Sequence, residues 1–286
     1  MRIHPDRRRR TAALARLDPD TDWLEIYRRL TLWELPAEAR FGFQLAFYRP
    51  LAVPRMAEVF HATGQVRHHA TRRAYHTGII IHEIIWGGVD SDRGQRMVKL
   101  MNAFHRRPGI HPDDMTYVLN CLIVVPTQFM NSYGWRAVTS AEQTATWHFY
   151  DTLGDRMGIA RRPSSYPEAV EQLNQYETTH LAPSTEGTAL TAAVLGAVRD
   201  RLPGPARRFD AVITSTLIGS PSVSAALGLP EPPAAVQRIA RLAATARRAV
   251  VRRQAPPRRP SFWPGMPAGT IYPNGYQLHQ LGPQHR

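Results

Sequence analysis

Residues 73–84 read Arg-Ala-Tyr-His-Thr-Gly-Ile-Ile-Ile-His-Glu-Ile, and their spacing predicts a helix with two different halves. Arg73, His76 and Thr77 come first, and Ile80 and Ile84 follow at intervals of three and four residues. Residues at these intervals share one face of a helix. The stretch therefore places a cation and two hydrogen-bonding groups above an apolar floor.

A second predicted helix, 92–105, carries an imidazole among apolar side chains. Met97, Val98 and Met101 precede His105 by eight, seven and four residues, so all four belong to one side of the helix. Taken singly, such residues have ordinary roles: a core histidine, an arginine lying along the surface, or a threonine bonded to the previous turn. Taken together, the two helices would suit a flat, largely apolar cofactor with one metal ligand.

Helical spacing continues through most of the chain, and neither an alternating strand pattern nor an internal repeat interrupts it. The predicted fold class is therefore all-α, with a single multi-helix domain. Asp113 or Asp114 is expected to cap one helix, Pro126 to kink it, and Thr139 and Glu142 to form a capping box. The segments predicted to be helical are 23–30, 37–47, 54–64, 66–86, 92–105 (stopped by 106–109), 113–130, 139–158, 167–181, 190–201, 205–217 and 234–253.

Three regions differ in composition: a basic N-terminal arm (1–19), the helical domain (20–254) and a Pro-rich extended tail (255–286). The tail carries aromatic residues, which favours its docking on the body. The basic helix 234–253 has an apolar side, and we expect it to pack in the ordinary way with its arginines in solvent. Attachment to an anionic membrane surface is the alternative.

Composition limits the class of protein. The 286 residues are 43% hydrophobic, as in globular proteins, and the only cysteine, Cys121, excludes an intrachain disulfide. No apolar run approaches the ~18 residues of a membrane-spanning helix, and no signal peptide is apparent, so we expect a cytoplasmic protein. Most of the net charge of +13 comes from arginines in 1–10 and 247–259. Without a recognition motif, these ends predict no specific nucleic-acid partner.

Two metal chemistries fit the polar residues. In a haem site, His105 would be the axial ligand, Arg73 would pair with a propionate or polarise a bound ligand, and His76 and Thr77 would face the other side of the ring. In a di-iron carboxylate site, two Glu-x-x-His motifs would each follow a lone glutamate. The residues of that second arrangement are Glu25, Glu58, His61, Glu142, Glu177 and His180. Glu142 already has a capping role, so haem is the preferred interpretation.

The order of several short motifs resembles the MpaB-type and rubber oxygenase family over roughly residues 20–280. These motifs are Phe47-Tyr-Arg-Pro, Arg73-Ala-Tyr-His76-Thr77, Asn102-Ala-Phe-His105 followed by Asp113-Asp114, and Tyr272-Pro-Asn-Gly-Tyr276. The resemblance implies an all-α haem-b protein with a globin-like core, which uses O2 to oxidise a hydrophobic small molecule or polymer, often isoprenoid.

The same resemblance assigns roles to four residues. It places the proximal iron ligand at His105 and the distal arginine and threonine at Arg73 and Thr77. Rubber oxygenases carry a lysine where this chain has His76, which argues against rubber cleavage. The difference leaves three roles open for His76: binding the iron, bonding to bound O2, or neither. Arg73, His76 and Thr77 would then be catalytic residues, and a protein that only binds haem is the non-enzymatic alternative.

Overall fold

The chain is an all-α protein, as its sequence predicts. The computed structural model describes residues 3–105, 109–199 and 204–281, and no β-strand occurs in that part, only one antiparallel bridge between Ala268 and Tyr272. The α-helices are α1 (Pro5–Leu14), α2 (Trp23–Arg29), α3 (Pro36–Tyr48), α4 (Pro54–Thr63), α5 (Gln65–Gly87), α6 (Asp92–His105), α7 (Pro112–Tyr133), α8 (Ser140–Met157), α9 (Tyr166–His180), α10 (Thr185–Arg199), α11 (Asp210–Ile218), α12 (Pro221–Ala226) and α13 (Ala234–Arg253). A π-helical turn spans Leu30–Glu34, and 3-10 turns span Arg49–Ala52, Gly204–Phe209 and Leu278–Gln280.

Helix boundaries agree closely with the predicted ones where a glycine or a capping box marks the end of a helix. Gly64 ends α4 with a φ of 65°, and Thr139 and Glu142 form the expected capping box of α8. The cap of α7 is a correction: the side chain of His111, not Asp113 or Asp114, accepts the first free backbone N–H. The helix also continues through Pro126. The stop signals at 106–108 and the predicted end at Arg201 lie outside the described residues.

The core forms around α3, α5 and α7. Gly42 on α3 faces Pro126 on α7 so closely that an added Cβ would lie 2.4 Å from the proline Cα. Only glycine allows this approach, because any side chain would push the two helices apart. The isoleucines of α5 join the same core, with Ile80 5% exposed and Ile84 fully buried. This packing fixes the second half of α5, whereas its first half is interrupted at His69, which has non-helical dihedral angles.

A buried carboxylate joins three parts of the chain. Glu83 on α5 is inaccessible to solvent and accepts two hydrogen bonds from the guanidinium of Arg93 on α6, at 2.7 and 2.5 Å. The hydroxyl of Tyr276, in the C-terminal segment, donates a third hydrogen bond to the same carboxylate. Buried charges require such complete pairing, because an unpaired carboxylate loses its hydration without compensation. Glu83 therefore aligns α5 with α6 and binds the tail to both.

The N-terminal helix α1 and the residue before it are bonded to the end of α13. The backbone N–H of His4 donates to the Arg252 carbonyl at 2.8 Å, and the side chain of Arg7 donates to the Gln254 carbonyl at 3.0 Å. Farther on, Phe262, Tyr272 and Tyr276 are buried against the body. Within the described residues, no helix is both long and apolar enough to cross a bilayer.

Replacing Arg93 with methionine is expected to lower the free energy of unfolding by about 2–3 kcal/mol, since Glu83 would keep only one of its two partners. The value lies below that of a fully buried pair because the arginine side chain is 40% exposed. Urea denaturation monitored by circular dichroism measures the change. Arg96→Met, an exposed position on the same helix, is the control, and equal effects in both variants would contradict the role of this pair.

Candidate active site

His105, the last residue of α6, has the tautomer that metal binding requires, with one ring nitrogen free of a proton. Its Nδ1 donates a hydrogen bond to the Met101 carbonyl at 2.7 Å, which leaves the lone pair on Nε2. Burial lowers the pKa of His105, and the nearby charge of Arg73 lowers it further, against the opposing effect of the carbonyl. The side chain is therefore a neutral imidazole at neutral pH, oriented by a backbone acceptor, as metal-binding histidines usually are.

Arg73 offers a positive charge that no carboxylate neutralises within the described residues. Its guanidinium donates to the Thr77 hydroxyl, which in turn donates to the Arg73 carbonyl at 2.9 Å. Burial lowers the pKa of this guanidinium. A partly desolvated cation that lacks a counter-ion is a binding position for an anionic or developing negative group. Since α5 packs along α6, this cation and the imidazole of His105 lie close enough for one to shift the pKa of the other.

His76 contacts the tail and not an open site. Its Nε2 lies 2.8 Å from the hydroxyl of Tyr272, and that hydroxyl donates to the Gln280 carbonyl at 3.1 Å. A hydroxyl has one proton and a carbonyl can only accept, so His76 Nε2 carries a proton and donates it to the tyrosine oxygen. Burial, with Arg72 and Arg73 nearby, lowers the pKa of His76 to about 4.

Sequence reasoning missed Tyr272 as the partner of His76. The motif Tyr272-Pro-Asn-Gly-Tyr276 was the only available signal, because a contact between residues 196 positions apart leaves no periodic trace. The structure thus brings Arg73, Thr77 and His105 into one region, while His76, on the same turn of α5, is held by the C-terminal segment.

Two methionines and one open cleft are the other features of α6 that bear on a binding site. Met97 is buried and Met101 half-buried on the His105 side of α6. A cleft of about 530 Å³ borders α6 elsewhere and is lined by Val89, Asp90, Gln95, Val98, Lys99, Asn102, Ala103 and Arg156. It includes none of the four predicted site residues, and its charged lining suits solvent better than an apolar ring.

The residues near α5 and α6 include the kinds of group that a haem b site uses. They are a neutral imidazole nitrogen with a free lone pair, a cation for which the described residues offer no carboxylate, and apolar side chains on the His105 side of α6. These are the groups that bind the iron, a propionate and the porphyrin faces.

The alternative di-iron arrangement is not assembled. Glu25 pairs with Arg28 and Arg29, Glu142 pairs with Arg136, and Glu177 pairs with Arg49. Glu58 is exposed, and His180 stacks on Tyr176 with its Nδ1 bonded to a backbone carbonyl. No group of three or more histidine, cysteine, aspartate or glutamate side chains converges as a metal site in the described part of the chain.

The all-α fold agrees with a family of helical oxygenases, to which the comparison of the sequence assigns the chain. Residues 28–249 match the model of the family described as ER-bound oxygenase mpaB/B'/Rubber oxygenase, catalytic domain, and the chain belongs to this family. The prediction made from the motifs is thereby confirmed at the level of the family, whose members support an oxygenase activity and hence an enzyme.

Individual relatives are distant in sequence. The chain is 21% identical to the ER-bound oxygenase mpaB' of Penicillium brevicompactum, over 93% of this chain and 78% of the relative. It is 25% identical to mpaB of the same organism over 49% of this chain, which corresponds to 38% of that protein. The structure of Latex Clearing Protein LCP in the closed state superposes with a TM-score of 0.60 at 18% identity, over 90% of this chain and 76% of the other. This likeness establishes the shared fold.

Folding stability should fall in acid because two histidines are buried in the neutral form. The pKa values of His76 and His82 are both lowered from 6.5 to about 4, chiefly by burial. The folded state then binds fewer protons than the unfolded state, so stability is fully present above pH 6.5 and is lost as the pH falls towards 4. Urea denaturation across this range measures the slope. His82→Gln should flatten it, and an unchanged slope in this variant would contradict the assignment.

Proposed function

We propose that the protein is a haem-b-dependent oxygenase, which acts with O2 on a hydrophobic substrate of isoprenoid or lipid-like character. One observation carries the proposal: His105 presents a neutral, unprotonated Nε2 beside Arg73, whose positive charge has no carboxylate partner in the described residues. Membership in a family of oxygenases supports it.

Each residue then has a distinct task. His105 binds the iron through Nε2, while its bond to the Met101 carbonyl holds the ring orientation. Haem, when bound, would supply the activation of O2. Arg73 donates hydrogen bonds to an anionic group, and Thr77 holds the guanidinium in place. Because these donors are oriented before any ligand arrives, they stabilise developing negative charge without reorganisation.

His76 is proposed to act through the tail. Its proton on Nε2 is directed at Tyr272, so the imidazole holds the C-terminal segment against α5, and His105 alone would hold the iron of a bound haem. A direct role at the distal side, which the family resemblance leaves open, requires that this hydrogen bond be broken.

The substrate class rests on the lining and on the relatives. The apolar character of α5, α6 and α7 supports an alkene or another lipid-like chain as substrate, and one protein of similar structure carries latex clearing in its name. Storage or sensing of haem without turnover is the competing function, and oxygen consumption with isoprenoid substrates separates the two. The cytoplasmic location expected from the sequence stays a prediction.

Replacing His105 with alanine is expected to abolish stable haem binding, because the only proposed iron ligand is lost. The absorption spectrum and the iron content of protein produced with a haem precursor measure the effect. His180→Ala is the control and should retain the Soret band. An unchanged spectrum in His105→Ala would disprove the ligand assignment, and iron lost only in His180→Ala would restore the di-iron alternative.

Replacing His76 with alanine is expected to leave the Soret band of the haem-loaded protein in place, since the imidazole is bonded to Tyr272. The tail should become less firmly attached, by about 1 kcal/mol for the lost hydrogen bond. Limited proteolysis of the C-terminal segment reports this loosening, and Tyr272→Phe, which also loses the bond to the Gln280 carbonyl, should loosen the segment at least as much. A shifted Soret band in His76→Ala alone would show that His76 binds the iron.

A further inference from the structure

Helix α13 is attached to the body mainly through arginines. The Arg248 side chain donates to the carbonyls of Gly134, Asn131 and Ser132, and Arg252 donates to the carbonyl of Trp135. Arg247 pairs with Glu38 on α3. These acceptors include the free carbonyls at the end of α7, where cations are favoured. No residue of α13 is buried, so polar bonds hold a helix that contributes little to the core.

The apolar side of α13 faces solvent, which corrects the expectation of an ordinary packed helix. Ile239 and Leu242 are each 64% exposed and Val250 is 52% exposed. With Ala246 between them, their spacing of three and four residues makes a continuous stripe. Isolated exposed apolar residues are common, but an apolar stripe along a helix marks a surface that contacts something else.

Positive charge surrounds this stripe. Arg238, Arg241 and Arg253 are exposed on α13, and the helix contains no acidic residue. The N-terminal helix α1, with exposed Arg8 and Arg9, is bonded to the end of α13 through the contacts of His4 and Arg7. Arg258 and Arg259 follow just beyond the helix. The fold thus gathers the two basic ends of the chain into one surface, which we name the α13 surface: the stripe and these seven exposed arginines.

We propose that the α13 surface binds an anionic lipid bilayer, with Ile239, Leu242 and Val250 inserted among the headgroups. An exposed apolar stripe flanked by arginines matches both components of such a bilayer. A second copy of the chain is a poorer occupant, because it would bring seven more arginines against the first seven. The contact is peripheral, in agreement with the lack of a spanning helix among the described residues.

Co-sedimentation with vesicles tests the proposal on the full chain, with or without haem. The probes are vesicles of phosphatidylcholine alone and of phosphatidylcholine mixed with phosphatidylserine, at low and high salt. The chain should bind the mixed vesicles and release them at high salt. Ile239→Ser/Leu242→Ser should weaken binding about tenfold or more. Arg238→Gln/Arg241→Gln should weaken it at low salt by about fivefold for each arginine.

Two control variants test whether the loss of binding is specific to the α13 surface. Trp263→Ser removes another exposed apolar side chain, and Arg96→Gln/Arg161→Gln removes two exposed charges elsewhere. Both should bind vesicles as the unchanged chain does, and circular dichroism checks that every variant is folded.

Three results would overturn the proposal. Equal binding to both kinds of vesicle would remove the role of the arginines. Absence of vesicle binding, with a dimer in light scattering that Ile239→Ser/Leu242→Ser dissociates, would assign the stripe to a second copy. Binding of duplex DNA that this apolar variant retains, without vesicle binding, would show a general polyanion surface. None of these measurements depends on haem, so the proposed oxygenase function can fail independently.

Discussion

The Glu83 carboxylate is the constraint on which the site depends. It lies in the core without access to water, and its stability requires Arg93 from α6 and Tyr276 from the tail at the same time. The pairing fixes the relative position of α5 and α6. Arg73 lies about three turns and Thr77 about one and a half to two turns before it on α5, and His105 lies about three turns after Arg93 on α6. The spacing of the candidate site is therefore set by a contact that lies outside it.

Arg73 and His105 are both basic side chains, but only Arg73 carries a charge at neutral pH. Arginine keeps its proton even where burial lowers its pKa, whereas histidine releases its proton readily. Placed near each other without a described carboxylate, they reach a stable state in which Arg73 is charged and His105 is neutral. That state provides a binding position for an anion and a free ligand nitrogen, the latter mainly because burial lowers the pKa of His105 and the charge of Arg73 adds to this effect. A carboxylate beside Arg73 would remove the binding position for an anion.

The sequence predicts helix ends and helix faces, because signals within a few residues determine them. Pro54 and Gly64 bound α4, and the spacing within 92–105 placed Met97, Met101 and His105 on one side, because these features act within a few residues. The partner of His76 lies 196 residues away and could not be found by spacing. Periodicity likewise showed that α13 has an apolar side but not where it points. The bonds from Arg248 and Arg252 to backbone carbonyls determine that, and such acceptors are present in every sequence.

The attachment of the tail to α5 also determines which contacts form last during synthesis and folding. Tyr276 and Glu83 are separated by 193 residues, and Tyr272 and His76 by 196. On a ribosome, both halves of the helical pair emerge long before either tyrosine is synthesised. Until then Glu83 has only Arg93 as a protein partner, and His76 has only water. The pairing of both groups is therefore completed last, when the C-terminal segment packs against α5.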